Sequence, residues 1–357
     1  MAVKKAIITG ITGQDGSYLS KLLLEKGYEV HGIVRENSTP GDKRLRQLLG
    51  SKYKSNPALI LHTGDLLDVS TINHLIEQVQ PDEIYNLAAQ SNVAVSFQLP
   101  ELTLKVNALG PLRLLEGIRL CGLERKTRFY QAGTSELFGM VASEPQNEKT
   151  PFNPQSPYAV SKHFAHSITS IYRSAYGIYA CNGILFNHES PLRGENFVTR
   201  KITIGLTRMA LRIQNELELG NLNAYRDWGH ASDYVQMQWL MLQQAVPEDF
   251  VIATGEKHSV RQFVEMTASH LGLFIEWVGE GLSEVGVVHS GDFRGEVIGR
   301  IRVNPKLFRP AEVNTLLGDA GKARELLGWK PTYNLRAIVA EMVDNDLALA
   351  SAESSEV

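Results

Sequence analysis

Lys4-Lys5-Ala6-Ile7-Ile8-Thr9-Gly10-Ile11-Thr12-Gly13-Gln14-Asp15-Gly16 is the stretch on which the fold turns. Its β-branched, apolar opening predicts a strand over residues 4–9, and the 3.6-residue apolar spacing that follows predicts a helix over 16–26. Gly10, Gly13 and Gly16 fall between the two. Elsewhere three glycines would mark an ordinary turn. Between a first strand and a first helix they let the backbone approach a pyrophosphate, which free N–H groups and the positive end of the helix dipole can hold. Gly10, Thr12, Gly13, Gln14, Asp15 and Gly16 are therefore the expected rim of a dinucleotide site.

Outward from this stretch the first half keeps one rhythm. Short apolar runs over 28–34, 59–63, 83–87, 128–131 and 180–185 predict strands, and amphipathic segments over 70–80, 104–121 and 158–176 predict helices. Short strands apolar on both faces suit a parallel sheet covered by helices, so the expected class is α/β, a Rossmann-like doubly wound sheet. Beyond residue 188 the pattern loosens: helices are expected over 203–213, 232–244 and 259–271, a strand over 216–219, and a loop or hairpin over 279–299. The expected division is a dinucleotide-binding domain over 1–188 with a returning segment at about 222–255. A smaller, discontinuous C-terminal lobe over 189–221 and 256–345 would bind substrate, and a disordered tail would occupy 346–357.

Composition narrows the function classes. A length of 357 residues leaves room for two lobes, and a formal net charge of −3 gives no overall pull toward nucleic acid or an anionic membrane. Only two cysteines, Cys121 and Cys181, are present, in apolar contexts without a CxxC or a histidine cluster, so neither a disulfide framework nor a metal site is expected. No apolar run approaches the ~18 residues of a membrane span, and a cytoplasmic enzyme is the simplest reading.

Further cofactor contacts follow from strand ends. The second strand closes Gly32-Ile33-Val34-Arg35-Glu36, with no acid at its last apolar positions to accept from a ribose 2′-hydroxyl. Arg35 favours a 2′-phosphate and hence NADP, while Glu36 beside it keeps NAD as the alternative. After the third strand, Asp65 and Leu66 lie where a carboxylate can accept from an adenine amino group, although Asp65 could equally start a loop. After the fourth, Leu87, Ala88, Ala89 and Ser91 leave room for a ribose.

Tyr158-Ala-Val-Ser-Lys162 puts a phenol and an ammonium on one helical face. A nearby cation favours the phenolate and makes it a base for a sugar hydroxyl; by itself the spacing is common in helices. Upstream, the strand over 128–131 runs into Thr134-Ser135-Glu136, at the carboxyl edge where such sheets place ligands. Hydride transfer needs one proton acceptor, so Glu136 points to a second proton transfer on a neighbouring carbon.

Together the glycine run, the Thr-Ser-Glu turn and the Tyr-x-x-x-Lys pair resemble the extended short-chain dehydrogenase/reductase family. Residues 183–194, 196–201 and 220–230 are similar to the GDP-mannose 4,6-dehydratases within it, and the likeness runs from about 6 to 345. The resemblance implies a redox-neutral reaction on GDP-mannose with NADP. Oxidation at carbon 4 uses Tyr158 as base and Thr134 as hydrogen-bond partner; elimination across carbons 5 and 6 uses Glu136; hydride then returns to carbon 6. It also implies that Lys162, His188 and Arg193 touch the cofactor, and that Ser91, Asn187, Lys201, Arg226, Arg309 and Glu312 hold the GDP-sugar with Thr134, Glu136 and Tyr158. Homodimers or homotetramers are usual in such a family.

The chain departs from the family in places. Many relatives carry Arg-Arg-Ser-Ser where this chain has Arg35-Glu36-Asn37-Ser38, Tyr225 replaces a usual lysine, and residues 279–303 have no close counterpart. Two other functions remain open: a sibling epimerase or reductase, which has no need of a base at carbon 5, and a non-catalytic dinucleotide-binding regulator, which would have lost Tyr158 or Lys162.

Overall fold

A computed structural model describes residues 2–36, 41–51, 53–141, 143–308 and 311–355. β1 (Lys5–Thr9) leads through the glycine turn into α1 (Gln14–Glu25), two residues ahead of the apolar spacing because Gln14 and Asp15 carry no periodic signal. α1 stops where Gly27 takes a φ of 79° and the Tyr28 N–H reaches back to the Leu23 carbonyl at 3.0 Å. β2 (Glu29–Val34), α2 (Lys43–Leu49), β3 (Leu59–Thr63), α3 (Val69–Val79) and β4 (Glu83–Asn86) continue the alternation. The carboxylate of Asp68 starts α3 by accepting from the N–H groups of Ser70 and Thr71.

Next come α4 (Val93–Gln98), α5 (Pro100–Asn107), α6 (Leu109–Leu120), β5 (Arg128–Ala132), α7 (Pro157–Tyr176) and β6 (Tyr179–Leu185). The single helix expected over 104–121 is two helices meeting at Ala108. Pro111 is the reason: it has no N–H for the Asn107 carbonyl, and inside a continuous helix its ring would collide with that carbonyl. The break places Pro111 in the first turn of α6, where a missing N–H costs nothing.

β7 (Asn187–Glu189), α8 (Val198–Ala210), β8 (Glu216–Leu219), β9 (Tyr225–Arg226), β10 (Trp228–His230) and α9 (Ala231–Met241) precede β11 (Phe250–Ile252). β11 returns to the main sheet and pairs with β6. The seven strands run β11-β6-β5-β4-β1-β2-β3, every pairing parallel, with the order reversing between β1 and β4. Ligands of doubly wound sheets sit at that reversal. Alternate residues bury opposite faces: Ala6 and Ile8 face a core shared with α1 and α9, and Ile7 faces one shared with α3 and α6.

β12 (His258–Ser259), α10 (Val260–His270), β13 (Leu273–Val278), β14 (Val285–Ser290), β15 (Val297–Val303), α11 (Gly321–Leu327) and α12 (Leu335–Ser355) complete the chain. β13, β14 and β15 form an antiparallel meander whose last strand lies parallel to β8, so the stretch over 279–299 is a hairpin rather than a plain loop. A third core, around Leu206, Leu217, Phe263, Ile301 and Met342, holds this sheet to α8, α10 and α12. The tail expected to be disordered from 346 is a continuation of α12 as far as Ser355. Asp346 anchors it, pairing with the buried Arg200 guanidinium. Among the described residues no helix is long and apolar enough to cross a membrane.

Candidate active site

The glycine turn is built for close approach. Gly10 has a φ of 69°, and a Cβ there would lie 2.9 Å from the Ala88 Cα; a Cβ on Gly16 would lie 2.3 Å from the Gly10 carbonyl. Gly13 precedes α1 without a side-chain cap, which leaves the first-turn N–H groups directed at whatever occupies the turn. These features fit the phosphates of a dinucleotide.

Asp15, in that first turn, is held by His188. The His188 Nε2 lies 2.8 Å from Asp15 Oδ2, its Nδ1 lies 2.8 Å from the Phe186 carbonyl, and its ring stacks on Tyr234. Burial alone would push the Asp15 carboxyl up, but His188, Gln14 and Arg193 more than offset it and hold it below the usual range. For His188, burial pulls down and Asp15 pulls up, and the net direction is upward. Both ring nitrogens of His188 are thus committed within the chain. Gln14 adds a second tie, donating to the His188 carbonyl and accepting from Ser190 Oγ.

A hydrogen-bond chain crosses the carboxyl ends of the strands. Thr9 Oγ1 accepts from the N–H groups of Leu87 and Ala88 and donates to Asn86 Oδ1; Asn86 donates to Gln131, and Gln131 to the Ala132 carbonyl. The same carbonyl accepts from Lys162 Nζ at 2.9 Å. Burial pushes the Lys162 ammonium down to about 8, with Asp15 pulling the other way. The Ser156 hydroxyl caps α7, so Tyr158 and Lys162 occupy its first two turns. Both are buried, and α7 packs against the 3₁₀ turn Ser135–Leu137 that carries Glu136. The Thr134 hydroxyl accepts from the Glu136 N–H at 3.2 Å. The four expected catalytic residues are therefore gathered on two abutting elements.

The other expected residues fall into two groups. Around the dinucleotide turn, Arg35 is exposed at the end of β2. Asp65 forms a tight turn, its Oδ1 accepting from the Leu67 N–H, and Leu66 puts its side chain into the core and its carbonyl on Arg113. Ala89 and Ser91 lie on the loop after β4, which Asn107 secures by bonding both the N–H and the carbonyl of Gln90 and also Ser161 on α7. Arg193 lies 3.1 Å from Glu189 and over the Phe197 ring. On the far side, Asn187 stands on β7, Lys201 in the first turn of α8 and Arg226 on β9, where its guanidinium lies 3.7 Å from Glu312. Arg309, Asn37 and Ser38 lie outside the described residues.

Asn107, Gln90 and Ser190 escaped the sequence reading, as did Arg44, which donates to the carbonyls of Thr12 and Leu192. Many of their bonds run to backbone atoms, for which side-chain motifs hold no signature; only Pro111 hinted at the break beside Asn107.

Comparison with known proteins completes the picture. A family model described as GDP-mannose 4,6 dehydratase matches residues 7–342. The GDP-mannose 4,6-dehydratase of Yersinia enterocolitica is 56% identical over 355 residues, covering 98% of this chain and 95% of its own. Among solved structures, the dTDP-glucose 4,6-dehydratase DesIV from Streptomyces venezuelae, with NAD and TYD bound, superposes with a TM-score of 0.77 at 22% identity, covering 96% of each chain. RMD from Pseudomonas aeruginosa, complexed with NADPH, gives 0.73 at 21% identity, covering 97% of this chain and 100% of its own. At these identities the two structures speak to the fold, which is the doubly wound sheet described above.

Proposed function

The chain belongs to the GDP-mannose 4,6-dehydratase family, and from that premise we propose how its residues dehydrate a nucleotide sugar. It is a hydro-lyase that takes GDP-mannose to GDP-4-keto-6-deoxymannose and water. Its cofactor is a nicotinamide dinucleotide seated on the glycine turn, NADP in preference to NAD because Arg35 offers a guanidinium to a 2′-phosphate. When bound, the dinucleotide supplies the hydride acceptor at sugar carbon 4 and the hydride donor at carbon 6.

One observation carries the reading: the buried Lys162 ammonium, one helical turn from Tyr158, on an element packed against Thr134 and Glu136. Its charge favours the Tyr158 phenolate, which takes the proton of the carbon 4 hydroxyl. Thr134, already accepting from the Glu136 N–H, still has its own hydrogen to donate to that oxygen. A ketone at carbon 4 acidifies carbon 5; Glu136 takes the carbon 5 proton and delivers it to the carbon 6 hydroxyl, which leaves as water, and the proton that Tyr158 took from the carbon 4 hydroxyl balances the one that carbon 5 regains. His188 acts on the cofactor turn through Asp15, and Arg193 meets the cofactor phosphates. Asn187, Lys201, Arg226, Arg309 and Glu312 hold the GDP-sugar, with Glu312 orienting the Arg226 guanidinium. Residues 1–188 and the return over 222–255 serve the cofactor; 189–221 and 256–345 serve the substrate. The working form is a cytoplasmic homodimer or homotetramer without nucleic-acid or membrane partners.

Purified protein incubated with GDP-mannose and a trace of NADP⁺ is expected to give a new carbon 6 methyl signal by proton NMR without build-up of reduced cofactor. Unchanged GDP-mannose alongside turnover of UDP-sugars or dTDP-glucose would overturn the assignment. In the same assay Glu136→Gln is expected to reduce cofactor once and stall, with kcat lower by roughly 100- to 10,000-fold.

A further inference from the structure

Arg44 lies on α2, outside every motif, yet its guanidinium joins two distant parts of the cofactor site. Its Nε donates to the Leu192 carbonyl at 2.7 Å and its Nη1 to the Thr12 carbonyl at 3.3 Å. Thr12 belongs to the glycine turn, and Leu192 immediately precedes Arg193. The Arg193 N–H is itself tied to the Ser190 carbonyl at 3.0 Å, and the Leu192 N–H to Ser190 Oγ. Leu192 and Arg193 thus stand on a turn fixed from within by Ser190 and pinned to the glycine turn by Arg44. Only a planar guanidinium offers two divergent donors in one rigid plane; a lysine ammonium on a flexible stem cannot hold both carbonyls in one geometry.

The surroundings add electrostatic meaning. Burial pulls the Arg44 guanidinium down, Glu195 pulls it up, and Arg193 and Arg200 pull it down again. Arg193 and Arg200 each have a carboxylate of their own, Glu189 and Asp346, so the like charge that Arg44 faces is partly compensated within the chain.

We propose that Arg44 is a positioning residue of the dinucleotide site: by clasping the Thr12 and Leu192 carbonyls, it sets the reach of Arg193 toward the cofactor phosphates. This rests on the reading of the glycine turn as the phosphate site. The clasp makes the effects of Arg44 and Arg193 one effect rather than two.

Calorimetric titration of NADP⁺ into wild type, Arg44→Met, Arg44→Lys, Arg193→Met and the Arg44→Met/Arg193→Met double variant tests it, with GDP titrated into each as a control. Arg44→Met is expected to weaken NADP⁺ by about tenfold or more, the scale of a lost charge-assisted clasp, and to leave GDP within about twofold. Arg44→Lys, which keeps the charge and loses the geometry, is expected to follow Arg44→Met, and in the Arg193→Met background the Arg44 substitution is expected to add less than about twofold. An undiminished Arg44 effect in that background, full rescue by lysine, or an equal loss of GDP binding would each overturn the clasp. If Arg44→Met does not fold, as judged by its thermal transition without ligand, Arg44→Lys decides alone. Wild type that binds no dinucleotide would overturn the reading of the glycine turn itself, whereas wild-type binding left intact by Arg44→Met overturns only the clasp.

Discussion

Lys162 carries a thermodynamic cost that its burial sets. Burial holds its ammonium at about 8 against an ordinary 10.5. The folded chain therefore binds its proton less tightly than the unfolded chain does. The penalty is fully present below pH 8 and is relieved as pH rises from there toward 10.5; at neutral pH it amounts to roughly 3 kcal/mol. Lys162→Met removes the charge and forfeits one hydrogen bond to Ala132, a loss of about 1 kcal/mol. The ligand-free variant is expected to melt above wild type at pH 7, by a margin that narrows toward pH 10. Scanning calorimetry at the two pH values checks this, and a variant less stable than wild type at pH 7 would contradict it. The gathering of Tyr158, Lys162, Thr134 and Glu136 on two abutting elements was readable from sequence because their side chains recur at a fixed spacing and at a strand end. Arg44 was not, since a helix reading Lys-Arg-Leu-Arg looks like a solvated surface, and only the fold brings the Thr12 and Leu192 carbonyls within its reach.

At the scale of elements, the first turn of α7, in which the proposed base Tyr158 stands, is fixed at its cap and at its opening residue. Ser156 Oγ accepts from the Ala159 N–H at 3.0 Å, and Pro157 opens the helix with its φ already fixed. Ser156→Ala is expected to cost about 1 kcal/mol of stability and to lower kcat severalfold, with Ser156→Asp restoring both. Chemical denaturation alongside steady-state kinetics measures it; an unchanged kcat despite lost stability would separate the cap from Tyr158. The parallel strands were legible because they are short and apolar on both faces. The α5/α6 joint was hidden because leucines continue through it, and the end of α12 because its polar final residues look like a tail while Asp346, paired with Arg200 across 146 residues, holds the helix down.

For the molecule as a whole, α7 leaves Val160, Phe164 and Ile171 on one stripe, 48%, 41% and 52% exposed, next to Leu102 on α5 and Leu109 on α6. Apolar side chains aligned this way on an outer helix are the kind of surface that a two-fold assembly would bury, and the proposed homo-oligomer is expected to use it. Phe164→Glu is expected to reduce the sedimenting species to the mass of a single chain at micromolar concentration. A variant that still sediments as an oligomer would place the interface elsewhere.

β11 gives the sheet its seventh strand only after the chain has passed through α8, β8, β9, β10 and α9. During synthesis, then, the edge of β6 stays open until about residue 252 has emerged from the ribosome, and a nascent chain of 188 residues exposes an unpaired strand able to template aggregation. No single cut yields two independent halves. Fusions to this protein are therefore better placed at its two ends than within the stretch between β6 and β11.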